Sequence, residues 1–392
     1  MKAHSFIYLI IYSCFIMSVS LQAQEHFADR YNVSYITMDD GLPHNFIDDI
    51  YKDTRGFLWI STAGGGLSRY DGYEFIHFNP NTPHSKLKSN FIHNVYEDRF
   101  HRLWIVSEGG TDIIDLSTLQ SVIPNDPKGL LPRFINHPTY IVILDSQGCI
   151  WLQCDNALHR ITFDAEGGID TLSTLDLPEQ DEPDLILKDI DEDGKIWTGI
   201  NGTIYKITPT PQGQLEKSSI SEQLTFWPGI YFKDMIAKEN EVWIATHIGL
   251  FRYNKSNNTR KLYENNQNDP HSLSQNYLTN LAITDDKQLI AGTLRGANIY
   301  NPITDNFERL THSSTSNSLL NSNFINCIRV DGQHIWFGTE SGGINKLTPK
   351  RLVIHNYQHD KENPASLSDN PVNVIYEDKE GSLWVGTVEG GL

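Results

Sequence analysis

The chain has 392 residues, with 49 acidic against 31 basic side chains and a formal net charge of −18. This balance, without a cluster of Lys and Arg, argues against a nucleic-acid-binding protein, which must neutralise phosphates. Hydrophobic residues make up 39% of the sequence, and its 17 Tyr, 17 Phe and 8 Trp suffice for a large core, which excludes disorder for most of the chain.

Residues 1–23 have the pattern of a secretory signal peptide. Lys2 and His4 precede an apolar run over 6–21, and Ala23 supplies a small residue for cleavage. The run is shorter than a membrane-spanning helix, and no later stretch reaches that length, although an uncleaved anchor is the alternative. The sequence therefore predicts export and a soluble mature chain outside the cytoplasm.

Three cysteines follow this segment, at Cys149, Cys154 and Cys327. Cys149 and Cys154 are five residues apart on one predicted strand, so their side chains face opposite sides. An exported chain permits disulfides, but this spacing argues against a disulfide framework.

One short phrase recurs about every 46 residues. Each copy is an apolar run between a polar turn and a turn of small residues. The central positions of the eight copies are Trp59, Trp104, Trp151, Trp197, Trp243, Ile290, Trp336 and Trp384. A fixed period of this length predicts one supersecondary unit that is used repeatedly.

The unit at 46–78 predicts four strands. The segment 46–51 alternates as a first strand, and 57–62 is apolar almost throughout, as a strand buried on both faces should be. The segments 67–70 and 73–78 flank Asp71-Gly72, a strong hairpin signal. Four short antiparallel strands with an apolar plug in the second strand are typical of a β-propeller blade.

The outer strands of these units number seven. Fourth strands are predicted near 73–78, 119–123, 169–175, 214–220, 259–263 and 306–310, and 33–38 supplies one more before the first repeat. The predicted fold is all-β: a seven-bladed β-propeller of four-stranded antiparallel blades over 33–348, closed by the N-terminal strand, which removes an open sheet edge. Residues 351–392 then form the first unit of a second propeller. Because only one such unit is present, the chain is interpreted as a truncated piece of a longer protein, with a poorly stable last unit.

The stretches 53–72, 90–98 and 374–392 resemble the two-component regulator propeller repeat. The stretches 53–72 and 374–392 combine an Asp-containing turn, a strand with Leu-Trp-Ile or Leu-Trp-Val, and a Gly-Gly-Leu turn, and this combination is specific. Repeats three to six depart from this pattern, with 155–158 and 247–250 in place of the Gly-Gly-Leu turn.

The resemblance implies the N-terminal periplasmic sensor region of a hybrid two-component histidine kinase. Such proteins carry two seven-bladed propellers, an immunoglobulin-like connector, an inner-membrane span and cytoplasmic kinase, receiver and DNA-binding parts, and they detect oligosaccharides. The implied partners are an oligosaccharide, the second propeller and kinase parts of the longer protein, and a second copy of the chain. No histidine box of a kinase and no nucleotide-binding glycine motif occur in this sequence, so no catalysis and no cofactor are expected.

Two motifs have competing interpretations. Asp189–Gly194 spells the start of a calcium loop, but Ile200 occupies the twelfth position, where a bidentate carboxylate is needed, and a structural turn is favoured. The Trp set would suit sugar stacking, yet its place in apolar runs favours core packing. No metal site is expected.

Other functions remain alternatives to the sensor. A stand-alone propeller lectin or scaffold fits the same fold. The Asp-x-x-Gly-x-x-Trp rhythm resembles the turn motif of sialidase propellers, which makes a glycoside hydrolase or lyase a less favoured alternative. Such an enzyme needs an arginine cluster or paired carboxylates at the axis, whereas these aspartates recur with the repeat, as structural turns do.

We expect a ligand on the face formed by the loops between second and third strands and by the entries into the first strands, where repeats differ. The candidates are Glu108, Asp155, Asn201, His247, Arg295 and Glu340 from the loops, and Tyr140, Trp227 and Tyr277 from the entries. Aromatic, carboxylate, amide and Arg groups suit a sugar, or an anionic sugar at Arg295. A solvated loop face is the alternative for each residue.

Overall fold

The computed structural model describes residues 26–83, 86–177, 186–190, 195–210, 213–227, 229–313, 319–350, 356–379 and 382–391. At 141–142 and 186–190 it describes the backbone alone. The predicted signal peptide and the residues 191–194 of the calcium-like turn lie outside these ranges. The chain divides into two compact units, one ending at Pro349 and one beginning at Lys350.

The first unit consists of antiparallel sheets, which we number as blades in chain order. The first strand is β1 (Tyr31–Ile36). Blade 1 contains β2 (Ile47–Lys52), β3 (Leu58–Thr62), β4 (Gly66–Tyr70) and β5 (Phe75–Phe78). Blade 2 contains β6 (Ile92–Glu97), β7 (Arg102–Ser107) and β8 (Gly110–Asp115). Blade 3 contains β9 (Thr139–Leu144), β10 (Ile150–Cys154), β11 (Ala157–Phe163) and β12 (Ile169–Asp176).

The remaining blades follow the same order of strands. Blade 4 contains β13 (Ile186–Ile190), β14 (Ile196–Ile200), β15 (Thr203–Pro209) and β16 (Leu215–Ser219). Blade 5 contains β17 (Phe232–Lys238), β18 (Glu241–Thr246), β19 (Leu250–Asn254) and β20 (Thr259–Tyr263). Blade 6 contains β21 (Leu278–Ile283), β22 (Leu289–Thr293), β23 (Gly296–Asn301) and β24 (Asn306–Leu310). Blade 7 contains β25 (Ile325–Asp331), β26 (His334–Thr339) and β27 (Ile344–Pro349).

The innermost strand of each blade contacts the innermost strands of its two neighbours. The contacts run from β2 through β6, β9, β13, β17 and β21 to β25, which contacts β2 again. Seven sheets around one axis form the seven-bladed β-propeller that the repeat predicted. The described helices are short: α1 (Pro132–Ile135) and the 3-10 turns Phe27–Arg30, Met38–Asp40 and Glu222–Leu224.

The N-terminal strand β1 lies two residues earlier than predicted. It pairs antiparallel with β27, from Tyr31 opposite Pro349 to Ile36 opposite Ile344, and so forms the outermost strand of the blade 7 sheet. Phe27, just before it, is 2% exposed and packs in the core between blades 6 and 7.

The predicted fourth strand at 119–123 is wrong, because blade 2 has only three strands in the described chain. A single bridge joins Ser121 to Ile114. The Asp115 carboxylate accepts the backbone N–H groups of Ser117 and Thr118, which bends the chain into a tight turn. The chain then crosses to blade 3, where Asn125 O accepts Ile169 N at 2.7 Å.

The Trp of the repeated phrase plugs the contact between adjacent blades. Trp104 is fully buried against side chains of β10 and β11, and Trp197 packs against Phe232 and Phe251 of blade 5. Ile290, at the same position, is also fully buried. Core packing, rather than sugar stacking, is thus the role of these side chains in the first unit.

The aspartate of the repeated phrase completes this plug. The Asp53 carboxylate accepts the N–H groups of Arg55 and Phe57 in the turn, and its second oxygen accepts Trp59 Nε1 at 2.8 Å. The pairs Asp98–Trp104, Asp145–Trp151 and Asp378–Trp384 repeat the aspartate-to-indole bond at 2.8–2.9 Å. The resemblance to a sialidase turn therefore reflects a structural motif.

The glycine before the Leu of the Gly-Leu turn allows a close backbone approach. Gly66 and Gly343 have φ of 81° and 68°, and a Cβ on either would lie within 2.4 Å of a carbonyl oxygen in the outermost strand, at Phe78 and Ile36 respectively. Only glycine fits both the left-handed conformation and this distance.

The second unit contains one hairpin in its described part, β28 (Val372–Glu377) and β29 (Leu383–Thr387). It repeats the register of blade 1, including one skipped residue between Val372 and Val374. Its apolar side chains are exposed to solvent: Trp384 is 48% exposed and Ile375 is 64% exposed.

Candidate functional site

A cavity of about 460 Å³ lies between the innermost strands. Residues of β2, β6, β9, β17, β21 and β25 line it. Its polar lining residues include Asp48, Asp49, His93, Asn94, Tyr140, Asp234, Lys238, Asn280, Asn326 and Arg329. A concave chamber on a rigid ring, with polar side chains that converge on it, is a usual setting for a ligand.

A β-bulge near the start of the innermost strand recurs in the blades. In blade 1 Ile47 pairs with Thr62 and Asp49 with Ser61, so that Asp48 has no partner across the ladder. The equivalent residues in the other blades are His93, Tyr140, Lys233, Thr279 and Asn326. In blade 4 the shift falls at 188, whose side chain lies outside the described part. We call these six side chains the bulge ring.

The bulge ring combines a repeated position with different chemistry. Asp48, His93, Tyr140 and Asn326 line the cavity, and Lys233 and Thr279 occupy the corresponding positions of their strands. A bulge re-aims one side chain without disturbing the rest of the sheet. The ring therefore offers a carboxylate, an imidazole, a phenol, an ammonium, a hydroxyl and an amide at one level.

Several polar atoms of the bulge ring lack a partner among the described residues. Asp48 makes no hydrogen bond there, and burial together with the charge of Asp49 raises its pKa to about 6. His93 Nε2 and Thr279 Oγ1 are buried without a partner. Buried polar atoms of this kind are normally satisfied by water or by a ligand.

The position that follows each bulge holds the blades together. Asp234 accepts Asn280 Nδ2 at 2.7 Å and Leu281 N at 2.8 Å, and Asn280 Oδ1 accepts Ile328 N at 2.9 Å. These bonds run from blade 5 to blade 6 and on to blade 7. The polar groups at this position are thus structural in blades 5 and 6.

His93 connects the bulge ring to the predicted loops. Its ring lies 5.2 Å from the ring of Tyr140, centroid to centroid. Burial lowers the pKa of His93, and the negative charge of Glu108 opposes that shift. The structure thus brings together Glu108, Tyr140 and His93, of which the sequence had singled out the first two.

The predicted loop residues lie at the ends of the second strands, beside the entries to the first strands. His247 N donates to Tyr231 O at 3.3 Å and Glu340 N to Phe324 O at 3.1 Å. Leu294 N, next to Arg295, donates to Tyr277 O at 3.4 Å. Loop and entry are therefore joined in these blades, as expected.

The backbone conformation explains the residue type at two of the predicted loop positions. Asp155 and Asn201 occupy two-residue turns with φ of 50° and 47°. Asp and Asn tolerate this left-handed conformation better than other non-glycine residues. No described contact joins either residue to the cavity, so their role in binding stays a prediction.

Trp227 is displaced from the position that the sequence assigned to it. Its carbonyl lies near Gly202 of the blade 4 turn, next to Asn201, and its side chain is 50% exposed. Tyr231 holds the entry position of blade 5 that Tyr277 holds in blade 6. The extra residues between Phe226 and Tyr231 concealed this equivalence.

Sequence reasoning missed Asp48, His93, Tyr231, Lys233, Thr279 and Asn326. All of them except Tyr231 fall one residue after the apolar residue that begins an innermost strand. Their distance from the Trp position differs by one residue between blades, because the turn after the innermost strand varies in length.

We also searched the described residues for a metal site, a membrane-spanning helix and a disulfide. Within the described ranges no group of His, Cys, Asp or Glu has the arrangement of a metal site, and no helix there is long and apolar enough to cross a membrane. Cys149, Cys154 and Cys327 are buried, and no disulfide joins them in the described part of the chain.

The fold and the chamber define the class, a seven-bladed β-propeller with an axial cavity. The family model of the two-component regulator propeller matches residues 41–64 and 366–389. The chain thus carries the two-component regulator propeller repeats that its sequence predicted. No curated protein sequence matches it.

Solved structures share the fold. The extracellular domain of BT3049 from B. thetaiotaomicron, named as a hybrid two component system, is 22% identical with a TM-score of 0.62, over 91% of this chain and 47% of that chain. The extracellular domain of BT4673 from the same organism is 19% identical with a TM-score of 0.59, over 91% and 51%. The chain spans about half the length of these two structures. Virginiamycin B lyase from Staphylococcus aureus is 16% identical with a TM-score of 0.55, over 81% and 99%.

Proposed function

We propose that the chain is an extracytoplasmic ligand-sensing module of a two-component signal transduction system. It binds an oligosaccharide at the mouth of its axial chamber and catalyses no reaction itself. The regulator propeller repeats and the likeness to extracellular domains of two-component systems support this class. The observation that carries the binding site is the bulge ring, with its unpartnered polar atoms at the axis.

Sugar chemistry suits this ring. Saccharide hydroxyls donate and accept, and the bulge ring supplies acceptors at Asp48 and Asn326 and donors at Lys233 and Thr279. Tyr140, 37% exposed, offers an apolar ring face against which a sugar can pack. A rigid ring that presents one side chain per blade can contact several sugar units at once.

The remaining parts of the proposal concern the chain as a whole. We infer that β1 closes the ring of the propeller at 33–348, that 351–392 is the first unit of a second propeller, and that 1–23 directs export to the periplasm. Neighbouring blades of a second propeller would cover the exposed Ile375 and Trp384. The partners of the module are then this second propeller and the kinase part of an inner-membrane protein, with a homodimer as its assembled form.

Calorimetric titration of the purified chain with a panel of neutral and acidic oligosaccharides tests the binding. We expect at least one member to bind, and Tyr140→Ala together with Asn326→Ala to weaken it about tenfold, as loss of a stacking and a hydrogen-bonding contact implies. Exposed Ile123→Ala, on the outer rim of blade 2, serves as the control. If no oligosaccharide of the panel binds, the proposal is contradicted.

A lyase or hydrolase is the second candidate, because Asp48 has a pKa of about 6 at the axis and one structural neighbour is a lyase. A carboxyl with such a pKa can act as a general base near neutral pH. Incubation of the chain with the same panel, followed by chromatography of the products, separates the two candidates. Turnover that Asp48→Asn abolishes would establish the enzyme and contradict the sensor.

A further inference from the structure

A cationic and aromatic group of residues lies on blades 5 and 6, where the entries to the innermost strands meet the loops between the second and third strands. We call it the cationic sector, and it consists of Tyr231, Lys233, His247, Tyr277 and Arg295. Lys233 belongs to the bulge ring, Tyr231 and Tyr277 are the entry residues of the two blades, and His247 and Arg295 belong to the adjoining loops. We propose that this sector binds the anionic substituent, carboxylate or sulfate, of an acidic sugar ring. The inference rests on the proposed glycan binding and specifies its ligand.

Lys233 supplies the central charge of the cationic sector. Its ammonium lies 5.1 Å from the ring centroid of Tyr277 and 6.0 Å from that of Tyr231. It has no ion pair with a described residue, whereas Lys52, Lys88 and Lys287 each contact a carboxylate at 2.5–2.7 Å. Lys233 is half-buried, and the chain as a whole carries a net charge of −18. Ring faces stabilise the ammonium but leave its N–H groups available to an anion.

His247 fixes the geometry of the cationic sector. Its Nδ1 accepts Tyr231 N at 3.1 Å, which assigns the proton of the neutral imidazole to Nε2. Its ring lies 5.1 Å from the ring of Tyr231 at an angle of 69°. Tyr231 is thus held at both its backbone and its ring, while Nε2–H remains a donor.

The cationic sector combines positive charges and hydrogen-bond donors. Its polar groups are an ammonium, a guanidinium, an imidazole N–H and two phenols, and none of the five residues carries a carboxylate. The guanidinium of Arg295 is exposed, and no described carboxylate contacts it. Charge-assisted donors of this kind select carboxylate and sulfate oxygens over sugar hydroxyls.

The other side of the mouth has the opposite character. Of the eight corresponding loop and bulge positions in blades 7, 1, 2 and 3, four carry a carboxylate, at Glu340, Asp48, Glu108 and Asp155, and the other four hold Ala63, His93, Tyr140 and Asn326. These carboxylates repel an anionic group and accept hydroxyls. An acidic sugar is therefore oriented with its anionic ring on blades 5 and 6 and its neutral part towards blades 1 and 2.

Paired probes test the inference by calorimetry on the full chain. One pair is oligogalacturonate and its methyl ester, and the other is a sulfated galactan oligosaccharide and its desulfated form. We expect the acidic member of one pair to bind at least about tenfold more tightly than its neutral partner, as a charge-assisted bond implies. The pair that shows this difference identifies carboxylate or sulfate.

Variants locate the effect. Lys233→Met should lower the affinity for the acidic member about tenfold more than the affinity for the neutral member, which loses at most a neutral hydrogen bond, while Lys233→Arg retains the preference for the acidic member. Lys217→Met is the matched control, because Lys217 also lies over a tyrosine ring, Tyr205 at 4.8 Å, but on the outermost strand of blade 4. It should change neither affinity.

The outcomes separate this inference from the proposed function. Equal or tighter binding of the neutral members, or no effect of Lys233→Met, overturns the cationic sector while glycan binding stands. An equal loss for both members assigns Lys233 a structural role and also overturns it. If no saccharide binds, the proposed function fails and the inference fails with it.

Discussion

At the scale of single residues, position within the repeat decides what a polar side chain does. Aspartates in the first turn bind a backbone turn and an indole, and polar residues after the bulge bind the next blade. Residues in the bulge itself are left for other partners. The recurrence of Asp and Trp thus reflects the architecture, and the variation at Asp48, His93 and Lys233 supports the proposed role of these residues in recognition.

The aspartate-to-indole hydrogen bond should contribute measurably to the free energy of unfolding. Trp104→Phe removes a donor to the buried Asp98 carboxylate, whereas Trp336 Nε1 has no described partner, so Trp336→Phe removes none. Both changes lose the same volume. We expect Trp104→Phe to cost about 1–3 kcal/mol more free energy of unfolding, because it leaves a buried acceptor less satisfied. Denaturant titration measures the difference, and equal costs contradict the structural role of the bond.

Asp48 makes stability depend on pH. Its pKa is about 6 in the folded chain against 3.8 for an ordinary aspartate, so ionisation opposes folding and stability falls as pH rises through this window. Asp48→Asn should therefore raise the melting temperature at pH 7.5 and change it little at pH 4. The expected gain in the free energy of unfolding at pH 7.5 is about 1 kcal/mol, because partial solvation of the Asp48 carboxylate screens its charge. A gain that is equal at both pH values would show that the charge is not its cause.

At the scale of elements, the bulge is the feature that sequence reasoning could not supply. Alternation predicts a strand but not a skipped residue, because the skip leaves Ile47 and Ile50 both facing the core. The fourth strand predicted for blade 2 is also an error of local pattern. The Asp115 carboxylate accepts backbone N–H groups of the following turn, and these bonds override a weak strand pattern. The buried second strands, by contrast, were predictable from their continuous apolar runs.

The pairing of β1 with β27 makes its own prediction. A chain that begins at Thr37 loses the burial of Phe27 and Ile36, about 1.5–3 kcal/mol each. Its melting temperature should fall by about 5 °C or more, and a synthetic peptide of residues 26–36 should restore part of the loss. Removal of residues after Lys350 is the control and should leave the transition of the first unit unchanged, because that segment belongs to a separate compact unit. An unchanged transition without β1 contradicts its role in closing the ring.

At the scale of the whole molecule, the repeat length predicted the fold, while the face for binding that the differences between repeats indicate stays a prediction. Tyr140 and Tyr277 came from the correct entries, whereas Trp227 did not, because insertions before blade 5 shift the count. The ring of innermost strands then places Asp48, His93, Tyr140 and Asn326 around one chamber. Side chains far apart in sequence meet there only through closure of the ring, which no local pattern encodes.

Hydrogen exchange of the full chain, with and without a saturating mixture of oligosaccharides, tests the central claim most directly. Binding at the mouth predicts slower exchange in the peptides that contain the bulges at 47–49, 92–94 and 232–234, with no change in the outermost strands at 215–219 and 306–310. Slower exchange confined to the outermost strands, or no change in any peptide, would contradict a glycan site at the axis.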